Sequence, residues 1–234
     1  PDVAKLVRGW RAAILGFGAA ALLFVLTLYY PFERGFGVAS YFPDRVADYV
    51  QARNLTGHMM NSYDFGGYLA WRFYPERLIF IDGRNEVFLP LMERLAAARA
   101  DSRAWNALLR DYDIQYALLN YVDDLDRVTT VGRDGSVTTS FAPVTATRFP
   151  RSRWALVYFD DDGMVLVRRD GSNRHVLADE YTAVYPEGHG YQRFMVTSGA
   201  ASRERAIAEL QRKLRDDPGS ARARRLLASI TQNR

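Results

Sequence analysis

The stretch MMNSYDFGGYLAWRFYPERLIFI, residues 59–81, decides how this chain folds. It opens on a short apolar run, 59–63, of the kind that forms a buried strand. The pattern then predicts a short helix over 65–73 and a second buried strand over 78–81, so the unit reads as the start of a βαβ arrangement. Gly66 and Gly67 are expected to permit a tight turn from strand to helix, with Tyr68, Leu69 and Trp71 packing inward. Asp82 and Arg84, just past the second run, are expected to pair with each other or to cap nearby backbone.

Working outward towards the C-terminus, residues 88–100 and 102–112 read as helices. The second has Ser102 as its cap and an apolar stripe of Trp105, Leu108, Leu109 and Tyr112. Residues 114–119 supply a further buried strand. From Val128 the pattern becomes alternation broken by turns: Arg133-Asp134-Gly135 splits one hairpin, and Asp161-Asp162-Gly163 splits another between 154–159 and 164–168. The fold class is therefore α/β, with a mixed sheet that is parallel at first and antiparallel towards its end. Beyond Ser202, Ala206, Ile207, Leu210 and Leu214 repeat at helical spacing. Asp217-Pro218-Gly219 interrupts, and Ala221, Leu226, Leu227 and Ile230 resume, which predicts a C-terminal αα-hairpin resembling half of a tetratricopeptide unit. The pair is strongly basic, with Arg203, Arg205, Arg212, Lys213, Arg222 and Arg224 among its cations, either as a solvated face or as a surface for anionic lipid or an acidic partner.

Towards the N-terminus, 43–54 reads as a helix that lies on the sheet, and 33–40 as a connector. Residues 12–32 carry no charge, and at about 1.5 Å per residue they span roughly 30 Å, the thickness of a bilayer core. Trp10 at one end and Tyr29, Tyr30 and Phe32 at the other sit where aromatic rings prefer the headgroup level. Lys5, Arg8 and Arg11 precede the run with only Asp2 against them, which predicts a cytoplasmic N-terminus and a periplasmic main domain on a bacterial inner membrane. Gly9, Gly16 and Ala20 belong to a small-sided half of the span that allows close approach of another helix, although small residues are also common in such helices. The expected organisation is a cytoplasmic segment 1–11, a transmembrane helix 12–32, a periplasmic α/β domain 33–198 and a helical hairpin 199–234.

The 234 residues carry 31 Lys and Arg against 27 Asp and Glu, interspersed along the chain, so the formal charge of +4 gives no basic tract and nucleic acid is not an expected partner. Cysteine is absent, which excludes disulfides and thiolate chemistry. His58, His175 and His189 lack the spacing of a metal site, and no cofactor is expected. Asp160-Asp161-Asp162-Gly163 lacks the further ligands of a calcium loop and fits a hairpin turn, whereas Asp123, Asp124 and Asp126 suit either a ligand site after a strand or a soluble loop. No nucleophile elbow, phosphate-binding loop or dinucleotide fingerprint occurs, and the reading leans away from an enzyme.

The segment from Asn61 to Phe88, NSYDFGGYLAWRFYPERLIFIDGRNEVF, resembles the soluble C-terminal portion of bacterial multi-span GT-C glycosyltransferases, a similarity that covers about 44–168. Asp64-Phe65-Gly66 is similar to the Trp-Trp-Asp-Tyr-Gly motif of oligosaccharyltransferase catalytic subunits, with Ser62 and Tyr63 in place of the tryptophans. The resemblance implies a module that binds a glycan or lipid-linked sugar through Asp64, Asp82 and Arg84, without the multi-span part that holds the catalytic carboxylates. On the residues alone, Asp64, Gly66, Gly67, Asp82 and Arg84 are a candidate ligand or fold motif. The function expected first is that of a non-catalytic single-span subunit bracing a larger assembly of integral membrane proteins, such as an energy-transducing or photosynthetic complex.

Overall fold

The computed structural model describes residues 10, 16–22, 24, 25, 42–99, 101–131 and 135–231. The chain divides into two compact units, Pro1–Ser40 and Tyr41–Arg234. In the first, residues 16–22, 24 and 25 are helical and exposed, and a Cβ added at Gly16 would meet nothing within 4 Å. Among the described residues no helix is long and apolar enough to cross a membrane. The expected span at 12–32 falls only partly on those residues, and its other positions and Gly9 lie outside them.

The second unit is a mixed α/β fold around a four-stranded sheet. Helix α1 (Asp44–Ala52) precedes β1 (His58–Asn61), and a 3-10 turn (Tyr63–Phe65) leads into α2 (Gly66–Phe73). Helices α3 (Asn85–Arg99) and α4 (Ser102–Asp111) follow, then β2 (Ile114–Asn120). The ribbon of β3 (Leu125–Val131) and β4 (Val137–Pro143) leads through the short α5 (Val144–Arg148) to β5 (Trp154–Phe159) and β6 (Gly163–Arg168). Helix α6 (His189–Thr197) and the C-terminal pair α7 (Arg203–Asp216) and α8 (Ala221–Thr231) complete the unit. The spatial order is β1-β2-β6-β5: β1 and β2 are parallel, and β6 is antiparallel to both of its neighbours. This is the parallel-then-antiparallel sheet that the sequence predicts.

Strand β2 lies at the centre, and its first six residues are buried. A strand covered on both faces needs apolar side chains pointing both ways, which is why Tyr-Ala-Leu-Leu runs without polar alternation. Tyr116 and Leu118 face α1 and α2, together with Val46, Val50, Leu69 and Phe73. Ala117 and Leu119 face the opposite layer, with Trp105, Leu108, Leu210 and Leu226 from α4, α7 and α8. One extra residue, Gln115, bulges out of β2 where His58 pairs with Ile114 and Met59 with Tyr116, so Ile114 falls on the same face as Ala117.

Three local expectations need correcting. Residues 78–81 form no strand, and the partner of β1 in the parallel pair is β2, reached after three helices. Trp71 is exposed, because it lies on the outer face of α2 while Tyr68 and Leu69 take the inner one. The cap of α4 is Asp101 rather than Ser102: Asp101 has extended backbone, φ −136 and ψ 121, and its side chain accepts from Arg103 N at 2.9 Å.

The C-terminal pair is built into the core. Ala206, Leu210, Ala223, Leu226 and Ile230 are buried in the same cluster as the sheet residues Leu156 and Met164. Three of the pair's cations turn at least partly inward, while Arg203, Arg205, Arg215, Arg224 and Arg225 are exposed. Lys213 is buried, 3.2 Å from Asp217 and over the rings of Tyr158 and Phe159, while Arg212 stacks 4.4 Å from the Tyr181 ring and donates to Glu180 O. The β5–β6 turn supplies the other half of the joint. Asp160 Oδ1 accepts from Asp162 N and Gly163 N, which makes the turn, and Asp161 accepts from Ala221 N and Arg222 N, which caps α8.

Candidate functional site

The motif is organised by Asn61, the last residue of β1. Its buried amide takes the place of a neighbouring strand: Oδ1 accepts from Phe80 N at 2.7 Å and Ile81 N at 3.4 Å, and Nδ2 donates to Ile81 O at 2.7 Å. Residues 80 and 81 are therefore held beside the sheet by a side chain, which explains an apolar run that is strand-like in composition but not in pairing. Gly66 completes the arrangement. A Cβ there would stand 2.0 Å from Ile81 O and 2.6 Å from Asp82 Cα, so only glycine lets the two segments touch. Its φ of −57 is ordinary helix, and Gly67 faces open space, so the expected turn is not what either glycine provides.

The close approach fixes Asp82. Its buried carboxylate accepts from Arg84 Nε at 3.0 and 2.9 Å and from Arg84 N at 3.0 Å, and it pairs with Arg84 Nη2 at 2.7 Å. These hydrogen bonds from Arg84 hold the Asp82 carboxyl below its ordinary range, against the opposing push of burial. Arg84 lies 5.7 Å from the Phe88 ring. Asp64, by contrast, is exposed and accepts from Asn120 Nδ2 at 3.0 Å, while Ser62 Oγ accepts from Asn120 N.

The five motif residues do not converge on one site. Asp64 borders a cavity of about 540 Å³ at the carboxyl ends of the parallel strands β1 and β2, beneath α3 and α5. This is the place where α/β sheets commonly hold ligands. Gly67, Asp82 and Arg84 border a separate open groove with Trp71, Tyr74 and Leu78, whose exposures are 69%, 72% and 70%. Gly66 is buried and lines neither. Val87 and Leu89, at the start of α3, add further exposed apolar surface.

Three residues of the cavity and its surroundings were not singled out by sequence reasoning: Asn61, Arg99 and Arg148. For Asn61 a signal existed, because an amide closing the run Met-Met-Asn in a strand buried on both faces must find buried partners. The arginines end α3 and α5, helices distant in sequence, and nothing local marks them as neighbours. Among the described residues no three His, Asp or Glu side chains gather as a metal-ligand set.

Fold and site together define a mixed α/β domain with two separate surface features, a largely apolar cavity at the strand ends and an exposed aromatic groove beside an acid–arginine pair. No protein-family model matches the chain, and no curated protein or solved structure shows significant similarity to it.

Proposed function

We propose that this chain is a non-catalytic, membrane-anchored subunit, tethered to a bacterial inner membrane through 12–32, whose periplasmic domain braces a larger complex of integral membrane proteins. The observation that carries the reading is the aromatic groove. Trp71, Tyr74 and Leu78 are each more than two-thirds exposed, and Arg84 stands beside them. Contiguous apolar surface on a folded domain marks a contact site more often than an accident of composition, and Trp, Tyr and Arg are the residue types that anchor protein interfaces.

Extraction in a gentle detergent, followed by native electrophoresis and identification of co-migrating chains, tests the proposal. The wild-type chain should travel with other membrane proteins. Trp71→Ser should weaken that association by about 2 kcal/mol, the scale of an interface anchor. Its melting temperature should be nearly unchanged, because Trp71 buries little within the domain. A wild-type chain that migrates alone would refute the reading.

A second reading, a module that binds a glycan, is favoured by the same exposed rings lying beside the Asp82–Arg84 pair, since aromatic faces and charge-assisted hydrogen bonds are both means of holding a sugar. Saturable quenching of tryptophan fluorescence by an oligosaccharide, abolished by Trp71→Phe with Tyr74→Ala, would support it over the first.

A further inference from the structure

The 540 Å³ cavity has a composition that neither reading uses. Its volume lies within the roughly 300–1,000 Å³ of small-molecule sites. Its walls are mostly apolar, with Met60, Phe80, Ile81, Leu95, Leu119 and Phe149 against Ser62, Asp64 and Asn120 at the strand ends, so most of the surface holds apolar matter more readily than water. At one border the character changes. Arg99 and Arg148 line both this cavity and an adjoining groove that also carries Arg127 and Arg153.

Among the described residues neither shared arginine has a carboxylate at hydrogen-bonding distance. Arg148 has a side chain only 17% exposed and stacks 5.1 Å from the Trp105 ring, yet its nearest carboxylate, Asp126, is 4.0 Å away and also accepts from Thr147 Oγ1. Arg99 is exposed, its side chain makes no hydrogen bond or ion pair among the described residues, and its charge acts against that of Arg148. Asp124 adds a weaker attraction to Arg148, whereas Asp101 caps α4 and Asp64, at the strand ends, accepts from Asn120. Burial pushes the Arg148 guanidinium down and outweighs the attraction of Asp126 and Asp124. Two guanidiniums that border one largely apolar cavity repel each other, and an anion bound between them relieves that repulsion.

We propose that this cavity binds a small single-chain anionic amphiphile, with its apolar chain against Leu95, Leu119 and Phe149 and its carboxylate or phosphate head between Arg99 and Arg148. The head adds counter-charge beside both arginines, and the chain fills space that water occupies poorly. The site is separate from the aromatic groove, so it stands or falls independently of the proposed docking function.

The test uses the full chain in lipid nanodiscs and equilibrium dialysis with radiolabelled probes, after subtraction of empty discs. Decanoate and decyl phosphate should bind saturably at one site per chain, decanol at least about tenfold more weakly, and inorganic phosphate without saturation. Arg99→Gln, on an exposed side chain, should weaken decanoate about tenfold and leave decanol unchanged. Leu95→Trp, checked for an intact thermal transition, should remove the binding of both. The proposal is overturned if decanoate shows no saturable binding, if decanol matches it, if phosphate alone saturates the site, or if Arg99→Gln has no effect. Should Leu95→Trp not fold, the Arg99 variant still decides.

Discussion

Asn61 concentrates more structural consequence in one side chain than any other residue of the motif. Replacing it with Leu preserves the approximate volume but strips the hydrogen-bond partner from Phe80 N, Ile81 N and Ile81 O. Buried backbone groups left unpaired cost about 1–3 kcal/mol each, so Asn61→Leu should lower unfolding free energy by at least about 3 kcal/mol in urea titrations. Two carboxyls respond to pH with opposite signs. Asp82 is held low by Arg84, so its contribution is complete above the ordinary aspartate range and is lost as pH falls through its folded value. Asp82→Asn should flatten the acid side of a plot of melting temperature against pH. Glu187 is pushed up by burial, which outweighs Arg151, and its Oε2 is enclosed without a hydrogen-bond partner. Here the native state holds the proton more tightly than the unfolded chain, so stability declines as pH rises from the ordinary glutamate range towards the folded value. Glu187→Gln should remove that decline and raise the melting temperature at pH 7.

At the scale of elements, the glycine pair separates two effects that sequence alone merges. Gly66→Ala forces a methyl into the backbone at Ile81, where no flexible side chain can yield, and should cost about 3 kcal/mol or prevent folding. Gly67→Ala meets open space inside the first turn of α2 and should gain about 0.5 kcal/mol from helix propensity. Thermal melts of the two variants should therefore move in opposite directions. The helix over 65–73 was legible from its periodicity, and the β5–β6 hairpin from Asp-Asp-Gly, because both are encoded within a few residues. The segment 78–81 was not, since apolar composition reports burial and says nothing about whether a ladder or an amide supplies the hydrogen bonds. Asp101 and Ser102 are equally good caps by type, and only the backbone dihedrals decide between them.

Across the whole molecule, the sequence conveyed the alternation of sheet types and the C-terminal pair, but not how the pair is used. Most of its cations are exposed, as a solvated face requires, but Lys213 and Arg212 pack on aromatic rings and Arg222 donates to Pro186 O, contacts that depend on residues far away in the chain. The convergence of Arg99 and Arg148 was hidden for the same reason. Because α8 is capped by Asp161 and buries Leu226 and Ile230 in the common core, Asp161→Ala should cost about 1–2 kcal/mol and lower a single cooperative transition. Circular dichroism and tryptophan fluorescence should still report coincident midpoints, whereas a separate early transition would mean that the pair unfolds alone. The same joint orders events during biosynthesis. A polypeptide emerging from the ribosome cannot seal the layer above Leu156 and Met164 until Ile230 is free of the exit tunnel, so this face of the sheet closes late in synthesis.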